Sequence, residues 1–240
     1  MSSDFAAIRE EFDEEVDAIK AIINTFSDPT GGGPKTRVAA VNAVTLLLSA
    51  TFEEFVREMA RAYARAVVNA SATFDRLPKT LVTAAWRRSM EGLSRLRVSS
   101  RDNDSGRDDI LSDAASKFAA LLSFYRGDLT QEIYRDLIHN ENNMRPDQIN
   151  NMFKISDCRN ICLKICDRAS LLDYFEESDP GKAHDLLRDR LDAFIERRNQ
   201  IAHSIALMRS SSPDLILQDI DMLGSFGRAL CETLELATST

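Results

Sequence analysis

The chain has 240 residues, which is enough for one large helical domain or two small ones with a sizeable buried core. Its formal charge of −8 and its pI near 5.0 argue against a general nucleic-acid coat protein, which would be basic. Four cysteines in this length do not suggest a disulfide framework. We find no signal-peptide pattern in residues 1–4 and no apolar run expected to span a bilayer, so we expect a cytoplasmic protein with no membrane partner.

Amphipathic helices account for almost the whole chain. The apolar spacing predicts helices over residues 5–26, 36–70, 78–96, 109–124, 129–139, 146–153, 157–175, 182–208 and 214–236. A Gly-rich break separates the first two, and the polar residues 99–109 predict a loop. No run alternates as a strand would. We therefore expect an all-α helical bundle. We treat residues 1–240 as a single domain, with an acidic helix and Gly-rich loop in 1–35 and a helical core in 36–240.

Charge is unevenly spread along this predicted bundle. Residues 1–30 hold eight acidic and two basic residues, whereas residues 57–101 hold ten basic and three acidic ones. Nine of these ten bases are arginine, the better residue for phosphate recognition. Arg57, Arg61 and Arg65 recur every four residues and so form one ridge on the second helix. The ridge can steer RNA, or it can pair with the acidic N-terminal helix.

Neither the cysteines nor the Gly-rich loop predicts a cofactor. Cys158, Cys162 and Cys166 are spaced by four, and three thiols in line on one helix face cannot surround a tetrahedral metal. They are interpreted as small core residues. The loop before Lys35 lacks the glycine and the preceding strand of a phosphate-binding loop. We expect no metal and no cofactor.

The run from Arg198 to His203 is the most informative feature. A permanent cation and a titratable imidazole lie five residues apart in the predicted helix 182–208. Arg198 interrupts an apolar stripe formed by Leu187, Leu191, Phe194, Ala202 and Ile205. A second stripe carries Asp192, Glu196, Asn199 and His203. Two interpretations stay open: a salt-bridge network with a surface histidine, which the spacing alone favours, or a minimal set of groups for cutting RNA without a metal.

Residues 197–204 resemble the R-N-x-x-A-H core of the HEPN ribonucleases, a superfamily of helical bundles with an R-x4–6-H motif. Residues 43–55 and 145–154 resemble the branch called RiboL-PSP-HEPN or MAE_28990-like, so that the resemblance covers roughly residues 41–236. Some toxins of the superfamily carry a tyrosine two residues after the histidine as an adenylylation target. Ile205 stands at that position here, and this mode of control is not supported.

The resemblance implies a metal-independent endoribonuclease that acts by attack of the RNA 2′-hydroxyl on the adjacent phosphorus. His203 would be the general acid or base, Arg198 would stabilise charge on the phosphoryl oxygens, and Asn199 would position the histidine or the phosphate. Glu196 or Asp192 would orient His203. Arg197 joins the ridge of Arg57, Arg61 and Arg65 as an expected RNA-binding residue.

It also implies a homodimer, because the reaction needs an acid and a base and one motif supplies a single histidine. A two-fold axis near Arg198 would in addition explain a charge in an apolar stripe. The expected role is that of a toxin or phage-defence effector, with RNA as substrate and an antitoxin or defence-system protein as a further partner. The alternatives are a catalytically silent module that binds RNA or nucleotide and a helical scaffold.

Overall fold

The computed structural model describes residues 4–27, 33–97, 104–138, 143–203 and 211–239. Every regular element within these ranges is helical, which confirms the predicted all-α class. The chain divides into two compact units. Unit 1 comprises Met1–Met59, Glu141–Asn151 and Asn160–Thr240, and unit 2 comprises Ala60–Asn140 and Met152–Arg159. The single domain expected from the sequence stays a prediction.

Unit 1 is organised around its last helix. It contains α1 (Asp4–Ser27), the first part of α2 (Pro34–Ala70), most of α6 (Pro146–Lys154), α7 (Ile161–Ile165), α8 (Ala169–Phe175), α9 (Pro180–Ala202) and α10 (Pro213–Thr238). Helix α10 begins at Pro213, where the Ser212 side chain accepts the N–H of Leu215 at 3.2 Å. It packs against α1, α7 and α8.

Aromatic side chains fill the core of unit 1. Phe12 stacks on Phe55 with ring centroids 4.2 Å apart, and Phe52 meets Phe226 edge-on at 5.2 Å. A Cβ at Gly227 would lie 3.4 Å from the Phe12 ring, so this glycine lets α10 approach the aromatic pair closely. These contacts hold α2, the helix that carries Glu53, against α1 and α10.

Unit 2 is a smaller helical cluster. It contains the remainder of α2, a short 3₁₀ helix (Phe74–Arg76), α3 (Lys79–Ser94), α4 (Asp104–Tyr125) and α5 (Tyr134–Leu137). Helix α3 packs against α4 and α5. Trp86, Phe74 and Phe124 surround the Tyr125 ring, and the Tyr125 hydroxyl donates to the Val82 carbonyl.

Several predicted helix boundaries are wrong. The helix expected over 157–175 is two short helices, because Asn160 is in the left-handed conformation (φ 55°) and Arg168 is extended. The helix expected over 129–139 shrinks to α5. The loop expected over 99–109 is helical from Asp104 onwards, and its residues 99–103 lie outside the described ranges. His139 lies outside them as well.

Helix α2 corrects the expectation about membranes. By length and composition, α2 has a stretch apolar enough to cross a bilayer, and it is the one described helix that passes this test. Half of that stretch is buried inside the protein, including Val44, Leu48 and Phe52. A helix that packs in the core of a protein passes the same test, and so does a signal sequence near the N-terminus.

Candidate functional site

Helix α9 carries the Arg–His motif at its C-terminal end. The helix begins at Pro180, where the Asp179 carboxylate accepts the N–H of Gly181 at 2.8 Å. It buries Leu187, Leu191 and Phe194 of the predicted apolar stripe, together with Ala183 and Ile195, whereas Ala202 is exposed and Ile205 lies outside the described residues. It ends at Ala202, whereas the apolar spacing predicted a helix that continues to residue 208. Residues 204–210 lie outside the described part of the chain.

His203 is the residue that caps this helix, with φ −100° and ψ 0°. Its backbone N–H donates to the Asn199 carbonyl at 3.0 Å, while its side chain is exposed. Among the described residues, no hydrogen bond or ion pair engages its imidazole. The imidazole therefore lies at the surface, where a ligand can reach it, and not within the helix as predicted.

The two carboxylates expected to orient His203 have other partners. Glu196 Oε2 and Asp192 Oδ1 both accept from Arg145, at 3.2 and 2.9 Å, and Glu196 Oε1 accepts from the Gln200 amide at 3.3 Å. The planar guanidinium of Arg145 can reach both carboxylates because they lie one helical turn apart. The expected orientation of His203 by Glu196 or Asp192 is not present in this structure.

Arg198 is held by three acceptors. Its Nη1 donates to Asn143 Oδ1 at 3.2 Å and to Asn199 Oδ1 at 3.0 Å, and its Nη2 donates to Glu53 Oε1 at 3.3 Å. The Arg198 side chain is 25% exposed, while that of Glu53 is 7% exposed. The charge that interrupts the apolar stripe thus finds its counter-ion in the same chain, and one of the two reasons for predicting a dimer no longer applies.

Glu53 is a buried carboxylate placed between two arginines. Arg57 Nη1 lies 3.9 Å from its second oxygen, and Arg57 is itself paired with the exposed Glu54 at 2.8 Å. A buried carboxylate is tolerated when it is paired and hydrogen-bonded. Arg57, predicted to bind RNA, is 9% exposed and belongs to this network.

The other arginines predicted to bind RNA also have partners within the chain. Arg61 donates twice to the Ile138 carbonyl, at 3.1 and 2.8 Å, and Arg65 pairs with Glu132 at 3.2 Å. Arg197 Nη2 donates to both oxygens of the buried Asp219, at 2.7 and 2.6 Å. Their role in RNA binding stays a prediction, but each of these contacts explains the residue without a ligand.

Sequence reasoning missed Glu53, Asn143 and Arg145. The signal for Glu53 was present, because it lies on the buried face of α2 beside Phe52 and Val56, where a charge needs a partner. Asn143 has a left-handed backbone (φ 63°), a conformation that asparagine tolerates better than most residues. Arg145 begins one of the two family-like stretches, yet its target on α9 was not visible in the sequence.

The cysteines lie in the core, as predicted, although not on a single helix. Cys158 precedes α7 and Cys166 caps its C-terminal end; none of the four cysteines forms a disulfide, and all four are buried. Burial raises the pKa of the Cys166 thiol to about 12 and that of Cys231 to about 11. Within the described ranges, no group of three or more His, Cys, Asp or Glu side chains is arranged to hold a metal ion.

Comparisons with known proteins identify the chain at the level of a family. The sequence model of the RiboL-PSP-HEPN family matches residues 10–239, which is nearly the whole chain. No curated protein matches, and no solved structure matches. The family match indicates an RNA-related or nuclease role in general. With its helical fold and this match, the chain belongs to the RiboL-PSP-HEPN family.

Proposed function

We propose that this protein is a metal-independent endoribonuclease that acts as a toxin or phage-defence effector. One observation carries the proposal: in a chain of this family, a partly exposed Arg198 and an exposed His203 lie at the same end of α9. A guanidinium recognises phosphate, and an imidazole transfers protons near neutral pH. Both groups are therefore placed where a substrate from solution can meet them.

In the proposed reaction, the 2′-oxygen of RNA attacks the adjacent phosphorus and the bond from phosphorus to the 5′-oxygen breaks. A general base takes the proton of the 2′-hydroxyl, and a general acid gives a proton to the departing 5′-oxygen. His203 supplies one of these groups. Arg198 stabilises the charge that develops on the non-bridging oxygens. The products are a 2′,3′-cyclic phosphate and a 5′-hydroxyl.

The active unit in this proposal is a homodimer. One motif provides one histidine, whereas the reaction uses a base and an acid at the same time. Two copies of the α9 end would supply both. This argument is purely chemical, since Glu53 already neutralises Arg198 within the chain. Light scattering that shows an active monomer at micromolar concentration would contradict it.

Asn199 and Glu196 act indirectly in this scheme. Asn199 Oδ1 accepts from Arg198, so it positions the guanidinium and not the imidazole. Glu196 binds Arg145 and Gln200, so it stabilises the surface of α9 next to the motif. Neither residue transfers a proton.

A second candidate function is a catalytically silent module that binds RNA or nucleotide. The observation that favours it is the set of three acceptors around Arg198, which resembles a structural ion-pair network. A helical scaffold would show the same contacts. Catalysis is what separates the first proposal from both alternatives.

The test is RNA cleavage in EDTA by the intact protein, with His203→Ala and His184→Ala compared. His184 is a matched control, because it lies near the N-terminal end of the same helix, far from its C-terminal end. We expect cleavage by the parent protein and by His184→Ala. The His203→Ala protein should lose about 10²–10⁴-fold in rate, or more if the dimer loses both imidazoles together.

Product chemistry decides the mechanism. A 2′,3′-cyclic phosphate end, with resistance of a substrate that carries deoxyribose at the cut site, supports attack by the 2′-oxygen. A 3′-hydroxyl product or a requirement for a divalent cation would rule out this mechanism. RNA binding without cleavage would favour the silent module.

A further inference from the structure

We propose that Glu53 and Asn143 are positioning residues that fix the guanidinium of Arg198, so that its remaining N–H donors receive one phosphodiester group. This inference rests on the function proposed above and names residues outside the Arg–His motif. Arg198 itself touches the substrate. Glu53 and Asn143 act only through Arg198.

Three separate parts of unit 1 converge on this one side chain. Glu53 comes from α2, Asn143 from the segment before α6, and Asn199 from α9 itself. The two distant acceptors lie 145 and 55 residues away in the chain. Three acceptors placed around one planar group determine both its position and its plane, which a single ion pair does not do.

A count of donors shows what this arrangement leaves free. A guanidinium has five N–H donors in a fixed plane. The three hydrogen bonds to Asn143, Asn199 and Glu53 use two donors on Nη1 and one on Nη2. Among the described residues, one donor on Nη2 and the one on Nε have no partner, and two donors are what a bidentate contact with a phosphate group needs.

The segment that carries Asn143 is itself fastened to α9. Two residues after Asn143, Arg145 donates to Asp192 and Glu196 on α9. The segment thus contacts α9 twice: Asn143 binds Arg198, and Arg145 binds Asp192 and Glu196. This attachment limits the movement of the Asn143 amide. It keeps the left-handed Asn143 backbone next to Arg198.

Arg197, the residue next to Arg198, shows what a purely structural arginine looks like here. Its Nη2 donates to both oxygens of Asp219, which belongs to the adjoining part of α10. One carboxylate is sufficient to hold it. Arg198 instead has weaker contacts to three groups, of which only Glu53 is charged. This pattern of contacts fixes the orientation of the Arg198 guanidinium more than it contributes to the stability of the fold.

The test compares Glu53→Gln with Glu54→Gln. Both variants replace a glutamate of α2 that pairs with Arg57, but Glu54 is 54% exposed, whereas the buried Glu53 accepts a hydrogen bond from Arg198. We expect Glu53→Gln to lower kcat for RNA cleavage by about 10²-fold, because a small misplacement of a positioned group is enough for such a loss. KM should not rise, since the Arg198 charge remains. Glu54→Gln should keep both constants.

Two more variants separate positioning from stability. Asn143→Gly removes the amide and still allows the left-handed backbone, so it should lower kcat without lowering the midpoint of urea unfolding. Asn143→Asp in the Glu53→Gln background returns a carboxylate to Arg198 and should restore part of the lost kcat. If Glu53→Gln cleaves at the rate of Glu54→Gln, or if the double variant shows no recovery, the inference is overturned.

A spectroscopic measurement keeps this inference distinct from the proposed function. In protein labelled with ¹⁵N-arginine, the side-chain N–H signals that disappear in Arg198→Lys belong to Arg198. We expect them to be sharp and slowly exchanging in the parent protein and in Glu54→Gln, but averaged in Glu53→Gln. If these signals behave so and no RNA is cleaved, the proposed function fails and the positioning holds. If Glu53→Gln leaves them unchanged, the positioning fails whether or not RNA is cleaved.

Discussion

Two arginines of unit 2, Arg61 and Arg88, and Arg198 at the end of α9 serve different purposes. In unit 2, Arg61 donates to the Ile138 carbonyl and Arg88 donates to the Leu137 carbonyl at 2.8 Å. These carbonyls lie at the end of α5, where a helix leaves acceptors without a partner. At the end of α9, the partners of Arg198 among the described residues are side chains, and they leave two of its donors without a partner there. The carbonyl contacts of Arg61 and Arg88 indicate structural residues, whereas the contacts of Arg198 leave one edge of the guanidinium for a ligand.

Among the arginine variants, the largest expected effect is that of Arg198→Lys. An ammonium group cannot replace the planar guanidinium, so we expect the rate of RNA cleavage to fall by about 10²–10³-fold. The midpoint of urea unfolding should change little, because lysine keeps the charge opposite Glu53. Single-turnover kinetics and urea titration measure the two effects. Normal cleavage by this variant would remove the contrast between the two groups of arginines.

Asp219→Ala tests the clamp on the neighbouring Arg197. Removing the carboxylate leaves a mostly buried guanidinium without its partner and should lower the free energy of unfolding by about 3 kcal/mol. Burial raises the pKa of Asp219 and the Arg197 guanidinium only partly opposes this, so Asp219→Asn should cost less than Asp219→Ala.

The matched control for this clamp is Asp221→Ala. Asp221 lies on the same helix, is 59% exposed and makes a 3.4 Å contact with Lys20. Its loss should fall within the range of surface pairs, below about 1 kcal/mol. Equal effects at the two positions in urea unfolding would show that the burial of Asp219 does not determine its contribution.

Arg88→Gln should have the next largest effect on stability. Arg88 is buried and closes the end of α5, and a shorter amide cannot reach the Leu137 carbonyl. We expect a loss of about 2 kcal/mol in the free energy of unfolding. Arg87→Gln is the control, since Arg87 is 66% exposed. If Arg88→Gln reduced RNA cleavage with no loss of stability, Arg88 would not be a structural residue, and its contrast with Arg198 would not hold.

Arg65→Gln is expected to change least. Arg65 is 40% exposed, pairs with the exposed Glu132 and lies 5.1 Å from the centre of the Tyr134 ring. Such surface contacts contribute about 0–1 kcal/mol to stability. The same variant tests the predicted RNA-binding ridge. A weaker Kd for RNA together with a reduced salt dependence would support the ridge, and an unchanged salt dependence would leave Arg65 as a structural residue.

The sequence predicted the helical class and most helices because apolar periodicity is local information. It did not predict the break at Asn160, since an asparagine in the left-handed conformation depends on how the flanking helices pack. It marked Arg198 as a charge in need of a partner, but the partner Glu53 is 145 residues away. The chain distance also explains why the sequence pairs Glu196 with His203 on the same predicted helix face. Its observed partner Arg145 is 51 residues away.

The burial of all four cysteines makes this chain a convenient host for a reporter group. Their thiols are shielded, and the raised pKa of Cys166 and Cys231 keeps them protonated at neutral pH, so maleimide reagents should leave the native protein unlabelled. A single added thiol, such as Gln200→Cys on the exposed side of α9, would then take up a spin label alone. The separation of two such labels in an assembled pair would measure directly how close two copies bring their α9 ends.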